Sequence, residues 1–188
     1  MKDVNSYQNL NTIPVYKVDT GGLRNEVELT QHQVDKAIDY AIKLGMEKDS
    51  IRYSSNTNTV YIADWDFLVI GTDLYPLAER TDYPNSNISW RGTLFHEIVG
   101  HRESCQAGRV FVTSEEERSV LAGVMPKEDF VERKALDEVQ ASLRASVLGL
   151  SLTALERQDL WDDAMARLVG LGIDFEQVKN KFYLERKS

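Results

Sequence analysis

Residues 93–105 read TLFHEIVGHRESC and place two of the chain's three histidines, His96 and His101, five residues apart. The stretch has the pattern of an amphipathic helix. In a regular α-helix, residues four apart differ in direction by about 40°, whereas residues five apart differ by about 140°. Two imidazoles at this spacing cannot face one point unless the helix is distorted. Gly100 lies between them, and a glycine inside a helix is unfavourable by about 1 kcal/mol relative to alanine. A π-type bulge or local unwinding at Val99–Gly100 would give that glycine a reason, because it absorbs the extra residue and turns His101 back toward His96.

A single histidine on an apolar helix face is usually a satisfied core residue. His-Glu followed by a second histidine at this or the neighbouring spacing arises by chance in roughly one chain in a hundred at ordinary residue usage. The same helix offers a rival set without distortion. Glu97, His101 and Cys105 stand at i, i+4 and i+8 on one face. A carboxylate, an imidazole and a thiol in that order suit a cysteine hydrolase in which Glu97 orients His101. Side chains on one helix face run parallel rather than converging, and this set leaves His96 without a role.

The surrounding sequence sets the class. With 188 residues, 42% hydrophobic and 28% charged, the chain has the composition of one globular domain. We expect residues 1–25 to be an arm or linker with a short strand near Val15, and residues 26–188 to form the domain. TQHQ at 30–33 is a capping box opening a helix whose apolar face is Val34, Ala37, Ile38, Ala41 and Ile42, with Gly45 ending it. Ile51–Tyr53 and Val60–Ala63 read as strands flanking a polar turn, and Phe67–Ile70 as a buried strand. Residues 79–87 read as loop. Helices are expected at about 89–104, 127–149, 153–169 and 174–186, with capping-box spacing in TALE at 153 and DFEQ at 174. Helix, small sheet, then helices gives an α+β class: a small β-sheet preceding the histidine helix, and a mostly helical C-terminal half.

Charge narrows the partners. A net charge of −8 argues against nucleic acid, which needs a concentrated positive surface. The apolar runs are too short for a membrane span, and the N-terminal residues lack an apolar signal-type core. Export would therefore need an address outside this chain; otherwise the protein is expected to be cytoplasmic. The lone cysteine excludes an internal disulfide.

In the expected helix 127–149, Ala135, Glu138, Ala141, Ser142, Ala145 and Gly149 form a stripe of small residues containing one carboxylate. Such a stripe admits a second helix at close range, and Glu138 would point into that contact. Val131, Val139, Leu143 and Val147 form an adjoining apolar face. Arg133, Asp137, Gln140 and Arg144 form a polar one, on which Asp137 is expected to be solvated. The plainer account of Glu138 is a buried carboxylate paired with an arginine.

HEIVGH resembles the His-Glu-x-x-Gly-His motif of the dipeptidyl peptidase III family of zinc peptidases, glycine included. That family has a second motif, Glu-Glu-x-x-Ala followed by an acidic residue, to which DEVQAS at 137–142 is similar. Ser142 stands where the family has an acid. The resemblance covers two short stretches, and that family is larger and two-lobed. It implies a zincin-like fold, zinc ligands His96, His101 and Glu138, and Glu97 as catalytic base. Over about residues 59–172 the chain also looks like the zincin-type C-terminal domains of Rhs and other polymorphic bacterial toxins. That likeness implies a toxin effector domain, delivered into a target cell by a larger protein and met by a cognate immunity protein.

Two imidazoles, a carboxylate and an open position suit catalytic zinc, so the expected activity is peptide-bond hydrolysis on a peptide or protein substrate. Strands 59–63 and 67–70 could offer an edge for that peptide. Tyr75, Tyr83 and Arg144 are candidates to stabilise the oxyanion. The alternative of a different class is a non-enzymatic binding or immunity-type module with a structural metal.

Overall fold

A computed structural model describes residues 23–126 and 128–186; the expected strand near Val15 lies outside them. The order is α1 (Gln31–Lys43), β1 (Ile51–Tyr53), β2 (Val60–Ile62), β3 (Phe67–Ile70), α2 (Pro84–Asn87) and α3 (Trp90–Phe95). A π-helical segment (His96–Arg102) follows, then α4 (Glu103–Gln106), α5 (Ser114–Leu121), α6 (Glu128–Leu148), α7 (Ala154–Gly170) and α8 (Phe175–Val178). The class is α+β, with a small sheet among helices.

Local chemistry accounts for most of these boundaries. Thr30 and Gln33 form the capping box of α1, and Thr153 and Glu156 that of α7. Gly45 leaves α1 with φ of 99°, a backbone conformation that suits glycine. A helix not anticipated from the sequence, α5, opens with a third capping box, Thr113 with Glu116; the spacing TSEE was there to be read.

The sheet order is β1-β3-β2, with β1 parallel and β2 antiparallel to β3. The strands flanking the polar turn therefore do not pair with each other; β3 inserts between them. All four residues of β3 are buried, as a central strand of continuous apolar character requires. Of the two strands expected to offer an edge, only β2 is one.

One core joins α1 and the sheet to Leu94 and Ile98 of the histidine helix. A second, through Phe95, Val99, Ala145 and Leu160, binds that helix to α6 and α7. A third lies between α6, α7 and the C-terminal segment, through Leu136, Val139, Leu143, Leu168 and Phe182. The histidine helix is thus gripped from both sides, and burying each Leu- or Phe-sized side chain contributes about 1.5–3 kcal/mol.

Several expectations are corrected. Of the expected N-terminal arm only residues 23–25 are described: Leu23 donates its amide to Ser86 Oγ, and Arg24 donates to the carbonyls of Asp73, Leu74, Asn85 and Ile88 and to Thr93 Oγ1. The expected loop 79–87 contains the short helix α2. The expected helix 174–186 ends at Val178, followed by one 3₁₀ turn, Lys179–Lys181. The segment after it is claimed by α6: Tyr183 donates its amide to Gln140 Oε1, and Arg144 donates to the carbonyls of Tyr183 and Glu185.

The polar face assigned to α6 is therefore mostly interior. Gln140 and Arg144 are buried, and so is Asp137, expected in solvent, at 6% exposure. Both Asp137 oxygens accept backbone amides, from Phe111 at 2.7 Å and Val112 at 2.9 Å, so a returning loop has covered that face. Conversely, Val131 and Val147 of the expected apolar face are exposed.

Candidate metal centre

The histidine helix carries a π-helical segment from His96 to Arg102. Its wider turn brings the two imidazoles together, with Nε2 of His101 3.1 Å from Nε2 of His96. Two polar groups attend the altered backbone: Arg144 Nε donates to the Val99 carbonyl at 2.8 Å, and Ser104 Oγ to the Gly100 carbonyl at 2.7 Å.

α6 passes close to this segment and supplies the third group. Glu138 Oε2 is 3.3 Å from His96 Nε2, and its Oε1 is 3.5 Å from His101 Nε2. His96, His101 and Glu138 form a group that can hold a metal ion, with one donor atom from each mutually within 4.8 Å. A four-coordinate ion with bonds of about 2.0–2.2 Å sets its ligand atoms about 3.3–3.6 Å apart. The two imidazole nitrogens are 3.1 Å apart, and each lies 3.3 or 3.5 Å from a different oxygen of Glu138, so the pairwise separations approach that range while the carboxylate turns one oxygen to each histidine. The arginine partner of the plainer reading is also present, since Arg167 Nη1 lies 3.8 Å from Glu138 Oε2. Glu138 meets both imidazoles and an arginine.

The hydrogen bonds around His96 fix where its proton lies. His96 Nδ1 is 2.9 Å from Ser142 Oγ, and Ser142 donates its hydroxyl proton to Asp163 Oδ2 at 2.7 Å. Having given away its only proton, Ser142 can only accept from His96. His96 in its neutral form then carries its proton on Nδ1 and turns a lone pair on Nε2 toward Glu138. Burial opposes the charge on Glu138, but His101, His96 and Arg167 outweigh it and hold the carboxyl well below its usual range. Burial likewise opposes charge on His101, yet the Glu138 charge and hydrogen bond raise its pKa above the ordinary value. The His96 lone pair and the Glu138 carboxylate face each other, an arrangement that a proton on His101 or a metal ion among them would satisfy, with Arg167 alongside. Metal binding and protonation compete for one place.

Glu97, the expected base, is buried, and its Oε2 accepts the backbone amide of Tyr61 at 2.8 Å. Tyr61 is the middle residue of β2, an edge strand, so Glu97 adjoins that strand's edge.

The other candidates lie elsewhere. Arg144 is fully buried, and its donors go to Val99, Tyr183, Glu185 and Glu103. Tyr75 stacks on Trp90, and Tyr83 is an exposed cap of α2. Glu103, a further carboxylate on the histidine helix, is paired with Arg144 and Arg186. Burial pushes the Cys105 thiol up to about 11, with nearby acids contributing, so it is protonated near neutrality. The imidazole that a cysteine mechanism would need points its Nε2 at His96 and Glu138.

Two participants were missed. Asp163 and Arg167 lie on α7, outside both motifs, and are joined by a 2.9 Å ion pair. Their i, i+4 spacing was visible, but nothing local showed that it faced the histidines. Comparison with protein-family models, curated proteins and solved structures yields no match to this chain.

Proposed function

We propose that the chain is a zinc-dependent peptidase. The observation that carries this reading is the ligand count. Among the described residues, His96, His101 and Glu138 are the only group of His, Cys, Asp or Glu placed to share an ion. His101 and Glu138 each keep 18% of the side chain exposed. A structural zinc site is normally closed by four protein ligands, whereas a catalytic one keeps three and an open position. This count favours the enzyme over a binding module with a structural metal.

Zinc held there would lower the pKa of a water molecule and polarise a substrate carbonyl. Glu97 would take the proton of that water and return it to the leaving amine. An extended peptide laid along the β2 edge, where Glu97 already holds the Tyr61 amide, would bring its scissile bond beside Glu97. By the resemblance to toxin C-terminal domains, the enzyme would be an effector delivered as part of a larger protein, with a cognate immunity protein as its inhibitor.

The test is metal analysis together with digestion of an unbiased peptide library by wild type and Glu97→Gln. About one zinc per chain in both, with cleavage lost only in the variant, is the expected result. Absence of zinc, or a Glu97→Gln enzyme as active as wild type, overturns the proposal. Zinc without cleavage in either protein would favour the structural-metal module.

A further inference from the structure

The environment of His96 holds a device that neither motif contains. Ser142 occupies the position where the resembled family places an acid, and at 0% exposure it cannot be a solvated replacement. Its hydroxyl instead joins His96 Nδ1, at 2.9 Å, to Asp163 Oδ2, at 2.7 Å, on a different helix. Asp163 Oδ2 also accepts from Arg167 Nε at 2.9 Å. The chain His96–Ser142–Asp163–Arg167 thus runs from the histidine helix through α6 to α7.

This arrangement is poorly explained as a contribution to stability. Asp163 and Arg167 are 0% and 5% exposed at their side chains. Asp163 Oδ1 and Arg167 Nη1 are buried without a hydrogen-bond partner, although Nη1 lies 3.8 Å from Glu138 Oε2 as an ion pair. Buried ion pairs of this kind are often no more stabilising than apolar residues of equal size, because desolvation offsets their attraction. What the pair does supply is a fixed acceptor for the Ser142 proton.

We infer that Ser142 and Asp163 are positioning residues for the metal. Together they hold the His96 proton on Nδ1 and aim its Nε2 lone pair at the ion, with a carboxylate acting through one hydroxyl. Metal-ligating histidines are commonly held by a partner at the second ring nitrogen, and loss of that partner weakens the metal about 10–100-fold. Here the acid stands on α7 and the serine bridges it to His96. The inference rests on the metal-site reading, but it concerns a tautomer that can be observed without metal.

The experiment uses the full chain with 15N-labelled histidine, in wild type, Ser142→Ala, Asp163→Asn and the double variant Ser142→Asp/Asp163→Asn. Zinc affinity is measured by competition with a chromophoric chelator. The His96 tautomer is read by NMR in chelator-treated protein, with circular dichroism as the fold control. Ser142→Ala removes only a hydroxyl, and Asp163 keeps Arg167. It should weaken zinc by about 10–100-fold and release the His96 proton from Nδ1. Asp163→Asn should do the same in smaller degree. The double variant places the carboxylate directly on His96 and should recover most of the affinity and the Nδ1–H tautomer, which a merely structural role for Ser142 would not produce.

Unchanged zinc affinity with an unchanged tautomer in Ser142→Ala overturns the inference. So does a double variant no better than Asp163→Asn while folded. A wild type that binds no zinc defeats the metal-site reading instead, and the tautomer measurement still decides whether the relay exists.

Discussion

Gly100 lies so close to Ala141 that a Cβ added at the glycine would fall 2.7 Å from the Cα, Cβ and carbonyl oxygen of the alanine. Two of these atoms are backbone and the third is a Cβ fixed to it, so no side-chain rotation relieves them. Gly100 therefore serves two ends. It lies within the π-helical segment that brings His101 round, and it allows α6 to approach closely enough for Glu138 to reach both imidazoles.

Gly100→Ala should consequently damage the candidate metal site more than its size suggests. Overpacking of this kind destabilises by about 1–3 kcal/mol. The expected outcome is a lower urea midpoint together with weakened zinc binding, because α6 carries Glu138 away as it retreats. Full zinc affinity in the folded variant would show that the helix spacing does not matter to the site.

Asp137 and Glu138 are adjacent but should fail differently. Asp137→Ala leaves the amides of Phe111 and Val112 without their acceptor inside the protein. Hydrogen bonds to charged groups are worth about 1.5–3 kcal/mol, and a stability loss near that size is expected in urea titration, with zinc retained once folded. Glu138→Ala should instead abolish tight zinc binding, since two protein ligands remain where catalytic zinc has three.

Acid should loosen the junction between α3 and α7. Burial opposes the charge of Glu156, but hydrogen bonds from Arg91, Ser89 and Thr153 outweigh it and hold its pKa at about 2. A carboxylate lowered on folding stabilises the native state above its ordinary pKa and ceases to do so as pH falls through the folded value. The stability difference between wild type and Glu156→Gln should be fully present above pH 4.5 and shrink as pH approaches 2. A difference independent of pH in denaturant titrations would contradict this.

Cys105→Ser should retain zinc and peptide cleavage. With its thiol pushed up to about 11, Cys105 should also react slowly with iodoacetamide at neutral pH. Rapid alkylation that abolishes cleavage while zinc stays bound would favour the cysteine hydrolase.

The sequence by itself determined the features that depend on neighbours along the chain. The five-residue spacing of His96 and His101 called for a distorted helix, and a π-helical segment spans those residues. The boxes at Thr30 and Thr153 set helix starts because their partners are three residues away. The small-residue stripe on α6 marked a close helix contact, since small side chains suit little else on a buried face.

Tertiary structure decided what depends on residues distant in sequence. Asp137 looked solvated because its covering loop, residues 111–112, returns from elsewhere in the chain. Arg144 stood on the polar face and among the oxyanion candidates, yet it secures the C-terminal segment and the Val99 carbonyl. Asp163 reaches His96 only because α6 and α7 pack together, with Ser142 between them. Periodicity records which face of a helix is polar. Whether that face meets water, a backbone amide or an imidazole depends on which element arrives to cover it, and that is settled only when the chain has folded.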